Sequence, residues 1–347
     1  MKILVSALET SSNIHLAALT KHLSSEHELI GIYDKSLGNP NYDITQLAIM
    51  GFVDAIKKLP FFLKLKKEMV ELARDADKVL LMDASGFNLP LAKSIRKKYP
   101  EKEIIYYILP QAWVWKKGRI KKLEKICDKL CSIIPFEQKL YTNKEKISYV
   151  GHPLLDEIHH FKSNLNSSGT IAFMPGSRKT EITNHMPVFR ELGKKFNDKT
   201  LLLIIPSKFD DEYIEKTYGD ISDFTISRDT HNTLQEAEFA FICSGTATLE
   251  AALIGTPFIL SYIAKSFDYF IGSKIVKIPY IGLANIFFDK MGKPIIHKEL
   301  FQENVTADSL YEEYSNMDRE KFFQNSQVLR DYLQNGSSLK VAQIIQN

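Results

Sequence analysis

"FMPGSRKTEI", residues 173–182, decides the fold. An apolar run that suits a β-strand breaks at Gly176, offers Ser177 and Arg178, and resumes in helical spacing with Glu181. Strand, glycine turn and helix in that order make half of a βαβ unit. A glycine at such a break lets the backbone approach a ligand, and the N–H groups that open the helix favour an anion.

The same rhythm runs outward in both directions. Before residue 152, "KILVSA", "LIGIY", "KVLLMD", "EIIYYIL", "LCSIIPF" and "ISYVG" alternate with longer helical patterns. After the polar stretch "HHFKSNLNSSGT", residues 159–170, it restarts as "TIAFMP", "TLLLIIP", "DFTISR", "EFAFICS", "TPFILSY" and "VKIPYIG". Such alternation predicts parallel sheets covered by helices. A Ser/Asn/Gly cluster buries little, which makes 159–170 a candidate domain boundary. The expected architecture is α/β: two Rossmann-like domains facing a central cleft, residues 1–158 and 171–295, with a polar helical tail over 296–347.

The bulk numbers fit two domains. A chain of 347 residues exceeds what one core usually carries, and 44% hydrophobic content supplies two. The net charge of +3 argues against bulk nucleic-acid binding. Cys127, Cys131 and Cys243 form no CxxC pair and have no histidine at ligand spacing, so neither a metal site nor a disulfide is expected. "MKILVSALET" has too short an apolar run for a signal peptide, and no window approaches ~20 uninterrupted apolar residues. A cytoplasmic protein is expected.

In open parallel sheets ligands sit beyond the carboxyl ends of strands, so the loops there are where functional residues belong. Four stand out. "PGSRKTE" lacks the later glycines of a nicotinamide fingerprint and is no P-loop; it reads as an ordinary turn or as a diphosphate clamp built on Gly176, Ser177 and Arg178. "CSGTATLEAALIGTP", residues 243–257, puts Ser244, Gly245 and Thr246 where phosphate oxygens fit, with Glu250 a turn later as acceptor for sugar hydroxyls or as partner of the helix dipole. Asp83, ending "VLLMD", is a turn former or a general base. "YILPQAWVWKKGRIKKL" groups Trp113, Trp115, Lys116 and Arg119, either a solvated face or a surface for a phosphorylated amphiphile.

At these residues the chain resembles the lipid-A-disaccharide synthases, membrane-associated glycosyltransferases of Gram-negative lipid A assembly, of the two-Rossmann-domain GT-B class. The matching stretches are "LAIMGFVDAIKKLP" from Leu47, "MDASGFN" from Met82, "PQAWVWKKGRI" from Pro110, "PFE" from Pro135, "VGHPLLD" from Val150, "MPGSRKTEI" from Met174, "SGTATLE" from Ser244 and "VKIPYIGLANI" from Val276. The resemblance implies a UDP-2,3-diacylglucosamine donor, a 2,3-diacylglucosamine 1-phosphate acceptor, and a β-1,6-linked disaccharide phosphate and UDP as products. It makes Asp83 the base for the acceptor hydroxyl and Arg178 the grip on the donor diphosphate. It adds Glu250 and Asn285 to the donor pocket. No cofactor and no metal are implied, and EDTA is expected to leave turnover intact.

Residues 47–69 carry Val53, Ile56, Leu59, Phe61, Phe62 and Leu63 among lysines. Helical spacing of this kind suits a core. With Pro60 and "FFLKLKK" it also reads as an exposed greasy corner for membrane and acyl chains, and the resemblance favours that reading, on the cytoplasmic face of the inner membrane. One stretch departs from the family pattern Gly-Glu-x-Ser-Gly-Asp: "LETSSN", Leu8–Asn13, keeps Glu9 and Ser11 as acceptor-side candidates and places Ser12 where a left-handed glycine would be strained if replaced. His15 reads as a surface or capping residue. His152 reads as structural or as a bond across the cleft.

Two other readings stand beside this one. A muramyl-lipid N-acetylglucosaminyltransferase or UDP-N-acetylglucosamine 2-epimerase would keep the nucleotide loops but has no reason for "LAIMG" or "QAWVWKKGR". A catalytically inactive lipid- or nucleotide-binding homologue would not call for Asp83. The tail permits a monomer or a homodimer that exchanges C-terminal segments.

Overall fold

Buried parallel strands read as near-continuous apolar runs because both faces are covered. The computed structural model describes residues 1–45, 59–113, 118–165, 167–243, 245–263 and 279–347. They form two units, Met1–Glu157 with Leu333–Asn347, and Ile158–Tyr332.

In the first unit β1 (Lys2–Ala7), α1 (Thr10–Thr20), β2 (Glu28–Tyr33), β3 (Tyr42–Asp43), α2 (Leu59–Leu72), β4 (Lys78–Met82), α3 (Ser85–Lys98) and β5 (Glu103–Tyr107) come first. They are followed by α4 (Gly118–Ile126), β6 (Lys129–Ser132), β7 (Ile147–Tyr149) and the one-turn α5 (Leu154–Glu157). The described strands pair in parallel in the order β3-β2-β1-β4-β5-β6-β7. Alternation along β1 and β4 sorts the core: Leu4, Val79 and Leu81 pack with one cluster, Ile3, Val5 and Leu80 with the other.

The second unit runs β8 (Thr170–Met174), α6 (Lys179–Gly193), β9 (Thr200–Ile204), α7 (Asp211–Tyr218), β10 (Thr225–Ser227), α8 (Thr230–Glu236), β11 (Phe239–Cys243) and α9 (Thr246–Ile254). Then come β12 (Phe258–Tyr262), α10 (Leu283–Lys290), β13 (Glu299–Phe301), α11 (Ala307–Asn316) and α12 (Arg319–Leu333). The order β10-β9-β8-β11-β12-β13 repeats that of the first six strands of the other sheet, with no described counterpart of β7. A last helix, α13 (Ser337–Gln346), packs Val341, Ala342 and Ile345 against Ile3, Val5, Leu16 and Leu19 of the first unit. Its start is held by Asp156, whose carboxylate accepts the N–H of Gly336 at 2.6 Å and of Ser338 at 2.8 Å.

Each sheet therefore has a point where the strand order reverses, between β1 and β4 and between β8 and β11. Loops that leave those strands diverge and open a crevice for ligands.

The organisation differs from the sequence-based division in three places. The polar stretch 159–170 is no free linker: the second unit begins at Ile158, Lys162 Nζ donates to the Gln235 carbonyl at 2.5 Å, and Glu238 accepts the Ser167 hydroxyl and the Gly169 N–H. Residues 296–332 are no separate tail, because β13, α11 and nearly all of α12 complete the second unit and only 333–347 join the first. The described part of "VKIPYIG", residues 279–282, is loop; residues 276–278 lie outside the described residues.

Candidate active site

At the switch point of the first sheet, Glu9 follows β1 and Asp83 follows β4. Asp83 is half-buried and that burial raises its carboxyl above the usual range, against the pull of a hydrogen bond from the Ala84 N–H and of His15 nearby. Glu9 is exposed as a whole, yet protein crowding on its carboxyl side, joined by the negative charge of Asp83, raises its pKa too. Asp83 and Ala84 both adopt left-handed backbone, φ +48° and +39°. Non-glycine residues in that region are strained and cluster at functional sites.

Arg119, on α4, reaches the same loop: its Nη1 donates to Ser85 Oγ at 3.4 Å. Trp113 lies edge-on to Phe136 at 5.2 Å between ring centres, so the "QAW" and "PFE" stretches meet. Trp115 and Lys116 lie outside the described residues. Ser11 is exposed on the first turn of α1. Ser12 is helical and buried, without the left-handed backbone its position suggested, because α1 begins at Thr10 and absorbs the altered loop.

His15 is not a surface residue. Its Nδ1 pairs with Glu157, both side chains largely buried. His152 is structural: buried in the first unit, it accepts the Leu154 N–H at Nδ1 and its pKa is pushed down to about 3, first by burial and then by His15.

The "greasy corner" is also different from the expectation. Val53 and Ile56 lie outside the described residues, as does the side chain of Leu59. Phe61 and Phe62 are half-buried and pack on the first unit's core, Phe62 against Phe87. On this helix the exposed apolar side chains among the described residues are Pro60 and Leu63, the latter at 52%.

In the second unit the glycine turn after β8 holds a different arrangement from the one its sequence suggests. The N–H groups of Ser177 and Arg178 are not free: both donate to Glu181 Oε2 at 3.1 Å, while Arg178 Nη1 meets Glu181 Oε1 at 2.7 Å. Gly176, φ +107°, is required because a Cβ would stand 2.6 Å from Glu181 Oε2. The Arg178 side chain is 78% exposed and points its remaining guanidinium donors to solvent; Glu181 is 9% exposed. Glu181, three residues after the cap residue and taking that residue's N–H, is the acidic half of a capping box.

Beyond β11, Ser244 lies outside the described residues. Gly245 has φ +136° with nothing among the described residues within 4 Å of a built Cβ, and Thr246, also exposed, opens α9. Glu250 is half-buried in the second turn of α9, with His231 Nε2 at 3.9 Å, a neighbour that sequence reading missed.

Asn285 does not present itself to a ligand. It is fully buried, its Nδ2 donates to His297 O at 2.9 Å and Glu299 Oε1 at 2.7 Å, and its Oδ1 accepts the N–H groups of Ile296 and His297. Glu299 in turn accepts the N–H groups of Ile281 and Gly282. Asn285 builds the start of α10 rather than contacting a donor. Among the described residues no cluster of side chains suits a metal ion, and no helix is long and apolar enough to cross a membrane.

Residues 3–346 match the family model for lipid-A-disaccharide synthetase. The chain is 50% identical to the lipid-A-disaccharide synthase of Helicobacter pylori strain HPAG1, over 98% of this chain and 96% of that one. It is 45% identical to that of Campylobacter jejuni strain RM1221, over 99% and 98%. Solved structures share the GT-B fold at low identity. The UDP-GlcNAc 2-epimerase from Neisseria meningitidis bound to UDP-GlcNAc has a TM-score of 0.63 at 11% identity, with all of both chains covered. The calicheamicin glycosyltransferase CalG4 has 0.61 at 13%, covering 99% of this chain and 97% of its own.

Proposed function

Since the chain belongs to the lipid-A-disaccharide synthase family, it is a glycosyltransferase of lipid A assembly with a UDP-sugar donor, and we propose how its two units divide the reaction. The observation that carries the function is similarity at 45–50% identity across nearly the whole length of both partners. An epimerase shares the fold at 11% identity, which speaks to fold alone.

The donor is UDP-2,3-diacylglucosamine and the acceptor 2,3-diacylglucosamine 1-phosphate. Asp83 of the first unit takes the proton of the acceptor 6-hydroxyl as its oxygen bonds to the anomeric carbon. The bond from that carbon to the diphosphate breaks, and UDP leaves with the electron pair. A carboxyl whose pKa burial has raised is a stronger base than a solvated one, which supports this role. Arg178 of the second unit meets the charge that develops on the leaving diphosphate. The open face of Gly245 and Thr246 takes phosphate oxygens, and Glu250 accepts from sugar hydroxyls. Arg119, beside the Asp83 loop, answers the acceptor phosphate.

The enzyme works peripherally on the cytoplasmic face of the inner membrane, as a monomer or with its C-terminal segment exchanged between two copies. The test is UDP release with both acylated sugars. Asp83→Asn is expected to lower kcat by about 10²- to 10⁴-fold with little change in KM or melting temperature. Wild-type release from that variant would remove Asp83 from the chemistry.

A further inference from the structure

Two consecutive non-glycine residues in left-handed backbone persist only where their surroundings hold them. At Asp83 and Ala84 the holding groups are visible. Asn88, fully buried on α3, turns its Nδ2 to the carbonyls of Met82 at 3.0 Å, Asp83 at 3.1 Å and Ser6 at 3.3 Å. Its Oδ1 accepts the Ser6 hydroxyl at 2.7 Å, which fixes the amide's orientation. Tyr106, fully buried on β5, donates its hydroxyl to the same Asp83 carbonyl at 2.6 Å. The Asp83 N–H donates to Tyr107 O at 3.2 Å. The ends of β1, β4 and β5 are thus tied together through Asn88, Tyr106 and the two peptide groups that flank the Asp83 α-carbon, and Asp83 carries the carboxylate at the switch point.

We propose that Asn88 and Tyr106 are positioning residues that clamp the Asp83 carbonyl and so hold its side chain in the one direction useful for taking the acceptor proton. The proposal rests on the reading of Asp83 as base. Neither residue touches substrate. Both act by keeping the strained pair from relaxing to ordinary backbone, which would swing the carboxylate away.

Tyr106→Phe removes the hydroxyl and leaves the ring packed. Its kcat is expected to fall about 10-fold, with both KM values within about 2-fold of wild type, because the competent backbone becomes a minority. Ala84→Gly lowers the cost of left-handed backbone at the neighbouring position, so the double variant Ala84→Gly/Tyr106→Phe should recover to within about 3-fold of wild type. A Tyr106 that served packing alone would show no such rescue. Wild-type kcat in Tyr106→Phe, or a double variant no better than the single one, overturns the clamp. If Tyr106→Phe melts more than about 5 °C low, Asn88→Ser takes its place with the same readings. Asp83→Asn run alongside separates the failures. Full turnover there removes the base reading and the clamp's purpose with it. An inactive Asp83→Asn beside an unimpaired Tyr106→Phe removes the clamp alone.

Discussion

Glu181 binds Arg178 twice, taking its main-chain N–H at 3.1 Å through Oε2 and its guanidinium at 2.7 Å through Oε1. The residue proposed to grip a diphosphate therefore carries a carboxylate of its own as counter-charge.

That pairing gives two variants opposite signs. Glu181→Gln keeps an oxygen for the two N–H groups but removes a negative charge beside the expected diphosphate, so UDP should bind about 2- to 10-fold tighter at low salt, with the gain shrinking as salt rises. Stability should hardly change, since the guanidinium is mostly exposed and such pairs contribute little. Gly176→Ala drives a methyl into Glu181 and forces a side chain into left-handed backbone, so UDP binding should weaken about 10-fold and the melting temperature should drop. Titration calorimetry with UDP checks both; weaker binding by Glu181→Gln would show that the carboxylate assists the grip.

The reasons for what sequence did and did not disclose are local. Runs such as "KVLLMD" and "FAFIC" could be read because a parallel strand buried on both faces leaves little room for polar residues. β3 and β13, with two and three residues, are too short to show a period. Asp83 stood out as a carboxylate ending an apolar run. Its holders did not: Tyr106 lies 23 residues away, and Asn88 is oriented by Ser6, 82 residues away, which only the sheet order brings beside it. The same holds for His231 beside Glu250. Asn285 and Phe61 took their donor-pocket and membrane roles from the resemblance, while burial is settled by what folds over them.

Glu137 supplies a pH prediction. It is almost fully buried, burial pushes its carboxyl up to about 7, and Ser132 Oγ lies 2.5 Å from Oε2 while Oε1 has no hydrogen-bond partner among the described residues. Between the unfolded value of 4.5 and about 7 the unfolded chain has lost this proton and the folded one keeps it. The unfolded state then binds fewer protons, so stability falls as pH rises through that window and levels off above it. The whole effect is about 3 kcal/mol at most. Glu137→Gln has no such proton to lose. Its melting temperature relative to wild type should rise by several degrees between pH 5 and pH 8; a difference that stays constant with pH would mean that Glu137 ionises in the folded protein without cost.

The membrane contact proposed for α2 has to use the side of the helix that its packing leaves outside. Leu65, Met69 and Val70 face the core, joined by half-buried Phe61 and Phe62, while Leu63, Lys64 and Lys67 are exposed. A lone leucine flanked by lysines can dip into an anionic bilayer while the ammonium groups stay with its head groups. Leu63→Ser should therefore reduce co-sedimentation with anionic vesicles severalfold and leave the melting temperature within about 2 °C of wild type. Phe61→Ser with Phe62→Ser should destabilise the fold: each removes a ring from a packed surface, at about 1–3 kcal/mol apiece, and the protein should melt markedly lower. Vesicle binding by Leu63→Ser equal to wild type would move the contact off this face of α2, and a double serine variant that melted normally would show that the two rings contribute nothing to the core they touch.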